Sequence, residues 1–193
     1  MRPLILTTLL LFQYSLRAQT NLAVDPDRIF WSDTTEIKWS DFQATNDSAK
    51  SLSAISKIEL PYSTSSDREV DMTFTIQTCL VKSESWFKKG KQNNILLLHE
   101  QLHFDIAELH RRLIVKSIVE GSFNADTYEK EVDQIIIAIW ENSYRKMQDK
   151  YDLETNYARI FKPQIYWNKK VADQLESMKE FQALTVTVIF QSK

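Results

Sequence analysis

The stretch NILLLHEQLHFDIAELHRRLIVKSIVE, residues 94–120, decides the fold, because it predicts one long helix. It contains neither proline nor glycine, and Gly121 follows it where helices commonly end. A helix this apolar near its start packs centrally in a protein instead of lying on its surface. The apolar residues on the side that carries His99 and His103 are Ile95, Leu96, Ile106, Leu113 and Ile114.

The segments on either side of this helix predict a mixed α+β fold. Residues 70–81 alternate between apolar and polar side chains, which indicates a strand with one buried and one solvent-facing side. We expect further strands at 37–39, 54–62 and 184–190, a polar turn at 63–68, and helices at 126–150 and from about Pro163. The predicted architecture is α+β: a small antiparallel sheet packed on the long central helix, with two further helices.

The N-terminus predicts a signal peptide. Arg2 supplies a positive start, Leu4–Phe12 is an apolar run too short to span a bilayer, and Ser15–Ala18 is a plausible cleavage region. We therefore expect residues 1–18 to be removed and residues 19–193 to form a single domain in the periplasm or outside the cell. No later segment is apolar enough to predict a membrane span.

The net charge and the cysteine count argue against several classes of function. The net charge of -2 gives no reason to expect nucleic acid or an anionic membrane as a partner. Cys79 is the only cysteine, which excludes an internal disulfide and a cysteine-based zinc site. We interpret Cys79 as a small residue in a strand.

The pattern His-Glu-x-x-His at residues 99–103 carries the chemistry. On a helix, His99 and His103 are offset by about 40° around the axis and about 6 Å along it, so both imidazoles can reach one metal ion. Zinc accepts neutral imidazole and in catalytic sites keeps one position open for water. Glu100 lies on the flank of the same face, where it could take a proton from that water and pass it to a leaving amine.

Other interpretations of the polar residues in this helix stay open. The two histidines could instead be core residues bonded to carbonyl groups, although one metal ion would satisfy both. His110 lies about 10 Å beyond His103 along the axis, too far to share the ion, and is expected in the core or behind the site. Asp105 and Glu108 point to other faces, toward solvent or structural partners.

Several segments resemble a known family, the exported bacterial domain of unknown function 922, which is similar to zincin metallopeptidases. The strongest likeness is in residues 83–87 (SESWF) and 96–108 (LLLHEQLHFDIAE), and weaker likeness is found in residues 39–42, residues 151–157 and Trp167. The resemblance covers most of residues 19–193. It implies a zincin-like fold and one Zn2+ ion bound by this chain.

The third zinc ligand departs from the family pattern. In the family the segment at 151–157 continues as Thr-x-His, and that histidine looks like the third ligand. Here Thr155 is present, but Tyr157 holds the ligand position. The resemblance thus implies Tyr157 as a ligand, and a buried aromatic at a helix–loop junction is an equal alternative. If the helices pair antiparallel, Glu141, Tyr144 and Asp152 also come near the site.

The sequence therefore predicts a zinc-dependent metallopeptidase or related hydrolase, with Glu100 as general base and metal ligands His99, His103 and Tyr157. The expected substrate is a peptide or protein lying along a sheet edge at 54–62 or 70–81. The missing third histidine motivates an alternative, a degenerate zincin that acts as a non-catalytic envelope binding or structural protein. An oxygen-ligated metal or redox site is disfavoured, because no carboxylate stands at a fixed spacing from the histidine pair. Cleavage preference and oligomeric state are not predicted.

Overall fold

A computed structural model describes residues 25–45, 52–66 and 70–191. The predicted signal peptide, residues 1–18, lies outside the described residues. The predicted mixed α+β class with small antiparallel sheets and helices is confirmed. Within the described ranges, no helix is both long enough and apolar enough to cross a bilayer.

Eight short strands and a group of longer helices make up the described chain. The strands are β1 (Arg28–Phe30), β2 (Ala54–Ile55), β3 (Ile58–Glu59), β4 (Tyr62–Ser65), β5 (Asp71–Ile76), β6 (Cys79–Val81), β7 (Trp86–Phe87) and β8 (Thr185–Ile189). The helices are α1 (Asn94–Val119), α2 (Tyr128–Ile136), a π-helical segment (Ile137–Tyr144), α3 (Arg145–Thr155) and α4 (Phe161–Ser177). Short 3-10 turns lie at Trp39–Asp41, Lys82–Glu84 and Lys179–Phe181.

The strands form three small antiparallel sheets against α1. Their orders are β1-β6-β3, β2-β7 and β4-β5-β8. The alternation in β5 has the predicted effect, since Met72, Phe74 and Ile76 are fully buried. These three side chains join Ile114 and Ile118 of α1 in the largest hydrophobic cluster.

Several strand predictions were wrong in their boundaries. Residues 70–81 form two strands, β5 and β6, which belong to different sheets, and residues 54–62 are divided among β2, β3 and the start of β4. The predicted turn at 63–68 overlaps β4, whose Ser and Thr residues pair with β5. The predicted strand at 37–39 does not form: residues 37 and 38 are irregular, and a 3-10 turn begins at Trp39, where the Asp41 carboxylate accepts the Lys38 amide hydrogen at 2.7 Å.

Helix α1 begins and ends close to the predicted limits. The Asn93 side chain caps it by accepting the Leu96 amide hydrogen at 2.9 Å. The expected helix at 126–150 runs from Tyr128 to Thr155, with the π-helical segment in its middle. A π-helical turn shifts the direction of every side chain beyond it. The part of this helix that follows, α3, lies against α1.

A buried ionic cluster fixes α1 to the C-terminal part of the chain. The Glu108 carboxylate accepts hydrogen bonds from Arg111, Arg112 and Thr78, and all four side chains are buried. The Arg111 guanidinium also donates to the carbonyl groups of Gln182 and Ala183. The sequence left two alternatives for Glu108, exposure to solvent and pairing within the structure, and the second is therefore observed. Asp105 likewise has structural partners, the side chains of Trp31 and Gln101.

We predict that Glu108→Ala lowers the free energy of unfolding by about 3–5 kcal/mol, because it leaves two buried guanidinium groups without their carboxylate. Denaturant unfolding followed by circular dichroism measures the change. Glu141→Ala is the matched control, since it removes a carboxylate from an exposed pair with Arg145 and should cost less than about 1 kcal/mol. Equal losses in the two variants would contradict a structural role for the cluster.

Candidate metal centre

Three side-chain atoms meet at one point beside α1. The Nε2 atoms of His99 and His103 are 3.1 Å apart. Asp152 of α3 places its Oδ1 atom 3.0 Å from His99 Nε2 and 3.2 Å from His103 Nε2. The structure thus brings together the two predicted histidines and a carboxylate that the sequence offered only as an alternative.

The far side of the His103 ring is held by Gln148. The Gln148 side-chain amide donates to the His103 carbonyl oxygen at 3.0 Å, which orients the glutamine oxygen toward His103 Nδ1. A glutamine oxygen only accepts hydrogen bonds, so His103 Nδ1 carries the hydrogen. Nε2 of His103 is then the ring nitrogen that faces His99 and Asp152.

The same arrangement holds His99. Gln164 of α4 donates its amide to Asn168, and its oxygen accepts from the Tyr151 hydroxyl at 2.6 Å. That oxygen lies 3.2 Å from His99 Nδ1, so this nitrogen too acts as the donor. Because Nδ1 is the donor in each ring, both imidazoles present Nε2 to the point that Asp152 faces.

One metal ion would satisfy these three closely spaced atoms together. A proton can bridge only one of the three pairs, whereas a metal ion contacts all three atoms. Two donors bound tetrahedrally to zinc at about 2.0–2.1 Å lie about 3.3–3.4 Å apart, close to the separations found here. Two imidazole nitrogens and a carboxylate oxygen with glutamines behind the rings also form a donor set that suits zinc. The residues therefore fit the ion that the sequence predicts.

The local charges favour a cation at the same point. Burial alone raises the pKa of Asp152, but hydrogen bonds from His103 and His99 outweigh it and hold this pKa well below its usual range. Burial alone lowers the pKa of His103, yet the hydrogen bond with Asp152 and the negative charges of Glu100 and Asp152 raise it to about 9. Both shifts reflect a pocket that stabilises positive charge.

Glu100 lies just behind this point. A carboxylate oxygen of Glu100 lies within 4.8 Å of a ring nitrogen of both His99 and His103. The Glu100 side chain is buried, and its Oε2 accepts a hydrogen bond from the Ser56 hydroxyl at 2.7 Å. The carboxylate is therefore held close to the nitrogen atoms of both rings, near enough to act on a molecule bound there.

A cavity of about 380 Å3 opens over the three donor atoms. Its lining includes the segment 52–56 and, from the helices, Tyr144, Gln148 and Asp149. This volume lies within the usual range for small-molecule or peptide side-chain sites. The donor atoms are consequently accessible from one side.

Tyr157, the ligand that the resemblance implies, lines this cavity but is 45% exposed. It lies in a turn in which Asn156, Tyr157 and Ala158 all have positive φ angles of 48°, 54° and 66°. No hydrogen bond joins its side chain to either histidine in the part of the chain that the structure describes. Asp152, five residues earlier, is the group next to both rings, so Tyr157 as a ligand stays a prediction that the geometry does not favour.

The other candidates fall on different sides of the site. Tyr144 lines the cavity, and burial raises its pKa to about 12, so it is a neutral donor at ordinary pH. Glu141 pairs instead with Arg145 on the surface. His110 is buried, its Nδ1 donates to the Ile106 carbonyl at 2.7 Å, and burial lowers its pKa. His110 is thus a core residue, as the spacing predicts.

Helical spacing gives a partial signal for Asp152. Gln148 and Asp152 are four residues apart on α3, just as His99 and His103 are on α1. Two such pairs on helices that face each other bring four side chains to one place. The signal depends on knowing that the second helix continues past 150 and that the π-helical segment turns Asp152 inward.

Comparison of the chain with protein-family models, with curated proteins and with solved structures finds no match. The resemblance to the domain of unknown function 922 therefore rests on the quoted residues and stays a prediction.

We predict that Asp152→Asn weakens zinc binding at least about a hundredfold, because loss of a direct ligand should cost no less than the 10–100-fold typical of outer partners. Isothermal titration with zinc measures the affinity. Asp149→Asn is the matched control, as Asp149 is an exposed carboxylate on the same helix that lines the same cavity.

Tyr157→Phe separates the two candidate ligands. If Asp152 is the third ligand, removal of the phenol oxygen leaves the zinc affinity nearly unchanged. A large loss in Tyr157→Phe together with none in Asp152→Asn would restore the ligand set that the resemblance implies.

Proposed function

We propose that this protein is a zinc-dependent hydrolase of peptide bonds, with His99, His103 and Asp152 as the metal ligands and Glu100 as the general base. The observation that carries the proposal is the convergence of three lone-pair donors beside a buried carboxylate at the base of an open cavity. Motif chemistry alone predicts the two histidines and Glu100. The position of Asp152 supports a complete set of three protein ligands, which is the usual number in catalytic zinc sites.

Zinc in such a site would supply Lewis acidity and lower the pKa of a water molecule to near neutrality. Glu100 would accept the proton of that water and deliver it to the amine that leaves. The hydrogen bond from Ser56 holds Oε2 of Glu100, so the orientation of the carboxylate is set before substrate arrives. Gln148 and Gln164 keep both histidines in the tautomer that the ion requires.

The segment 52–58 offers a place for an extended substrate. The Ser53 carbonyl accepts a hydrogen bond from the Lys88 amide, and the Lys57 amide donates to the Ser85 hydroxyl. The backbone groups of Ser53 and Lys57 therefore point toward β7 and the residues that flank it. The backbone groups of Ala54 and Ser56 alternate with them and face the opposite way, as in any strand. The cavity lies beside this segment. A peptide that pairs with this edge would therefore have a bond held over the site.

Of the two sheet edges expected from the sequence, the first has support. Strand β5 is flanked by β4 and β8, and β6 by β1 and β3, so residues 70–81 present no free edge. In the segment 54–58, strand β2 pairs with β7 along one edge, and the cavity lies beside this segment. A central helix with this motif beside a short strand edge also supports a zincin-like arrangement, which remains part of the proposal.

The argument for a non-catalytic binding or structural protein is now weaker. It rested on the missing third histidine, and Asp152 stands where a third ligand is needed. A protein that binds zinc tightly but has no turnover would still fit that alternative, and the following experiment distinguishes the two functions.

We predict that Glu100→Gln lowers peptide hydrolysis by about 10²–10⁴-fold, the usual contribution of a general base, while zinc binding stays intact. Digestion of an unfolded protein mixture, followed by mass spectrometry of new termini, measures turnover without a known substrate. Elemental analysis of the purified variant measures the zinc.

Glu84→Gln is the control, because Glu84 is an exposed carboxylate outside the cavity that pairs with Lys57. Unchanged turnover in Glu100→Gln would end the hydrolase proposal. Zinc at one ion per chain with no cleavage in any variant would favour the non-catalytic binding protein.

A further inference from the structure

Residues 157–170, YARIFKPQIYWNKK, are unlike the rest of the chain in charge. They join α3 to α4 and form the first half of α4, and we refer to them as the basic corner. The basic corner contains Arg159, Lys162, Lys169 and Lys170 and no acidic residue. The remaining residues hold 20 basic and 26 acidic side chains, since the whole chain has 24 and 26. The net charge of -2 thus conceals a compact positive region.

The basic corner also exposes large apolar side chains. The exposed fractions are 46% for Ile160, 49% for Phe161, 54% for Ile165 and 62% for Tyr166. Single exposed apolar residues are common, but neighbouring ones mark an interaction surface. Phe161 and Ile165 are four apart on α4 and therefore adjacent on its surface.

The outward face of α4 combines both features. The inward face of α4 packs against the rest of the protein through its buried residues Gln164, Trp167 and Val171. At 100° per residue, Phe161, Ile165, Lys162, Tyr166 and Lys169 all lie within an arc of about 140° on the other side. An outward face made of aromatic, aliphatic and lysine side chains is typical of helices that lie in the headgroup region of a membrane.

We propose that the basic corner docks this protein on the surface of an anionic lipid membrane. The unpaired charges of Arg159 and Lys162 complement anionic headgroups, and aromatic and aliphatic side chains at the same place can enter the acyl boundary. Within the described residues, neither Arg159 nor Lys162 has an ion-pair partner, so both charges are available. Lys169 is paired with Asp173, and the Lys170 ammonium lies 4.3 Å from the centre of the Trp167 ring.

A lipid surface fits these observations better than a protein partner. An acidic protein surface would satisfy the lysines but would leave Ile160, Phe161 and Ile165 against polar groups. A bilayer offers both an anionic layer and an apolar layer, and lysine side chains reach the first while rings enter the second. The expectation from the sequence, that an anionic membrane is no partner, used the charge of the whole chain and overlooked its distribution.

Docking through the basic corner would also orient the cavity. Tyr157 belongs both to the basic corner and to the cavity wall, so the cavity opens beside the docked face. The proposal goes beyond the hydrolase and does not depend on a bound metal. Failure of one therefore leaves the other untouched.

Co-sedimentation of the full chain with lipid vesicles tests the proposal. The two vesicle types are phosphatidylcholine alone and phosphatidylcholine mixed with phosphatidylglycerol, each at low and at high salt. We expect stronger binding to the mixed vesicles, reduced by salt. Lys162→Glu should weaken it at least fivefold, since one basic residue near the surface contributes about that factor. Ile165→Ser should weaken it by roughly tenfold through lost apolar burial.

Two matched controls separate the basic corner from general effects. Lys130→Glu makes the same change of charge at an exposed site near the start of α2, roughly 40 Å away along the helical run that ends at Thr155. Ile189→Ser removes an aliphatic residue that is 77% exposed on β8. Both should bind the mixed vesicles as the unmodified chain does. Residues 1–24 are identical in every variant, so differences report on the substituted position.

Three results would overturn the proposal. They are equal binding to the two vesicle types, equal losses in the controls, and no vesicle binding at all. If binding is absent and Ile165→Ser instead changes the sedimentation coefficient of the free protein, the exposed face is an interface between copies of the chain.

Discussion

The convergence of His99, His103 and Asp152 is the constraint on which the rest of this structure depends. The two Nε2 atoms and Oδ1 of Asp152 are separated by only 3.0–3.2 Å, and one bound cation would satisfy all three. Each contributes through a different fixed element: α1 supplies both histidines, α3 supplies Asp152 and Gln148, and α4 supplies Gln164. Helices α1, α3 and α4 therefore meet at a single point.

The surrounding fold compensates for the polar groups that this arrangement buries. Helix α1 carries His99, Glu100, Glu108 and both arginines in its buried surface, and each has a polar partner. The Glu108 cluster anchors the far half of α1, and the glutamines anchor the half with the candidate metal centre. Three successive residues with left-handed backbone conformations, Asn156 to Ala158, then turn the chain sharply at the cavity. Strain of this kind, on the order of 1 kcal/mol per non-glycine residue, is often found at functional sites.

Much of this architecture follows from the sequence, and the exceptions have identifiable causes. The limits of α1, the final strand and the buried face of β5 follow from periodicity and from the absence of proline and glycine. Short strands were predicted poorly, because β2, β3 and β7 are two residues each and belong to their sheets through tertiary pairing that no local pattern encodes. The role of Asp152 depends on the π-helical segment, which changes side-chain directions without a sequence signal. The charge of the basic corner was visible in the sequence, but its exposure required the structure.

The most direct measurement of the central claim is a crystal structure of the protein grown with zinc, with anomalous diffraction recorded at the zinc absorption edge. We expect one strong anomalous peak at about 2.0–2.1 Å from His99 Nε2 and His103 Nε2 and at about 2.0–2.2 Å from a carboxylate oxygen of Asp152. We also expect Glu100 to lie outside the coordination sphere. An absent peak at this point, or a peak bound to other side chains while the two rings bond only to protein groups, would contradict the proposed metal centre.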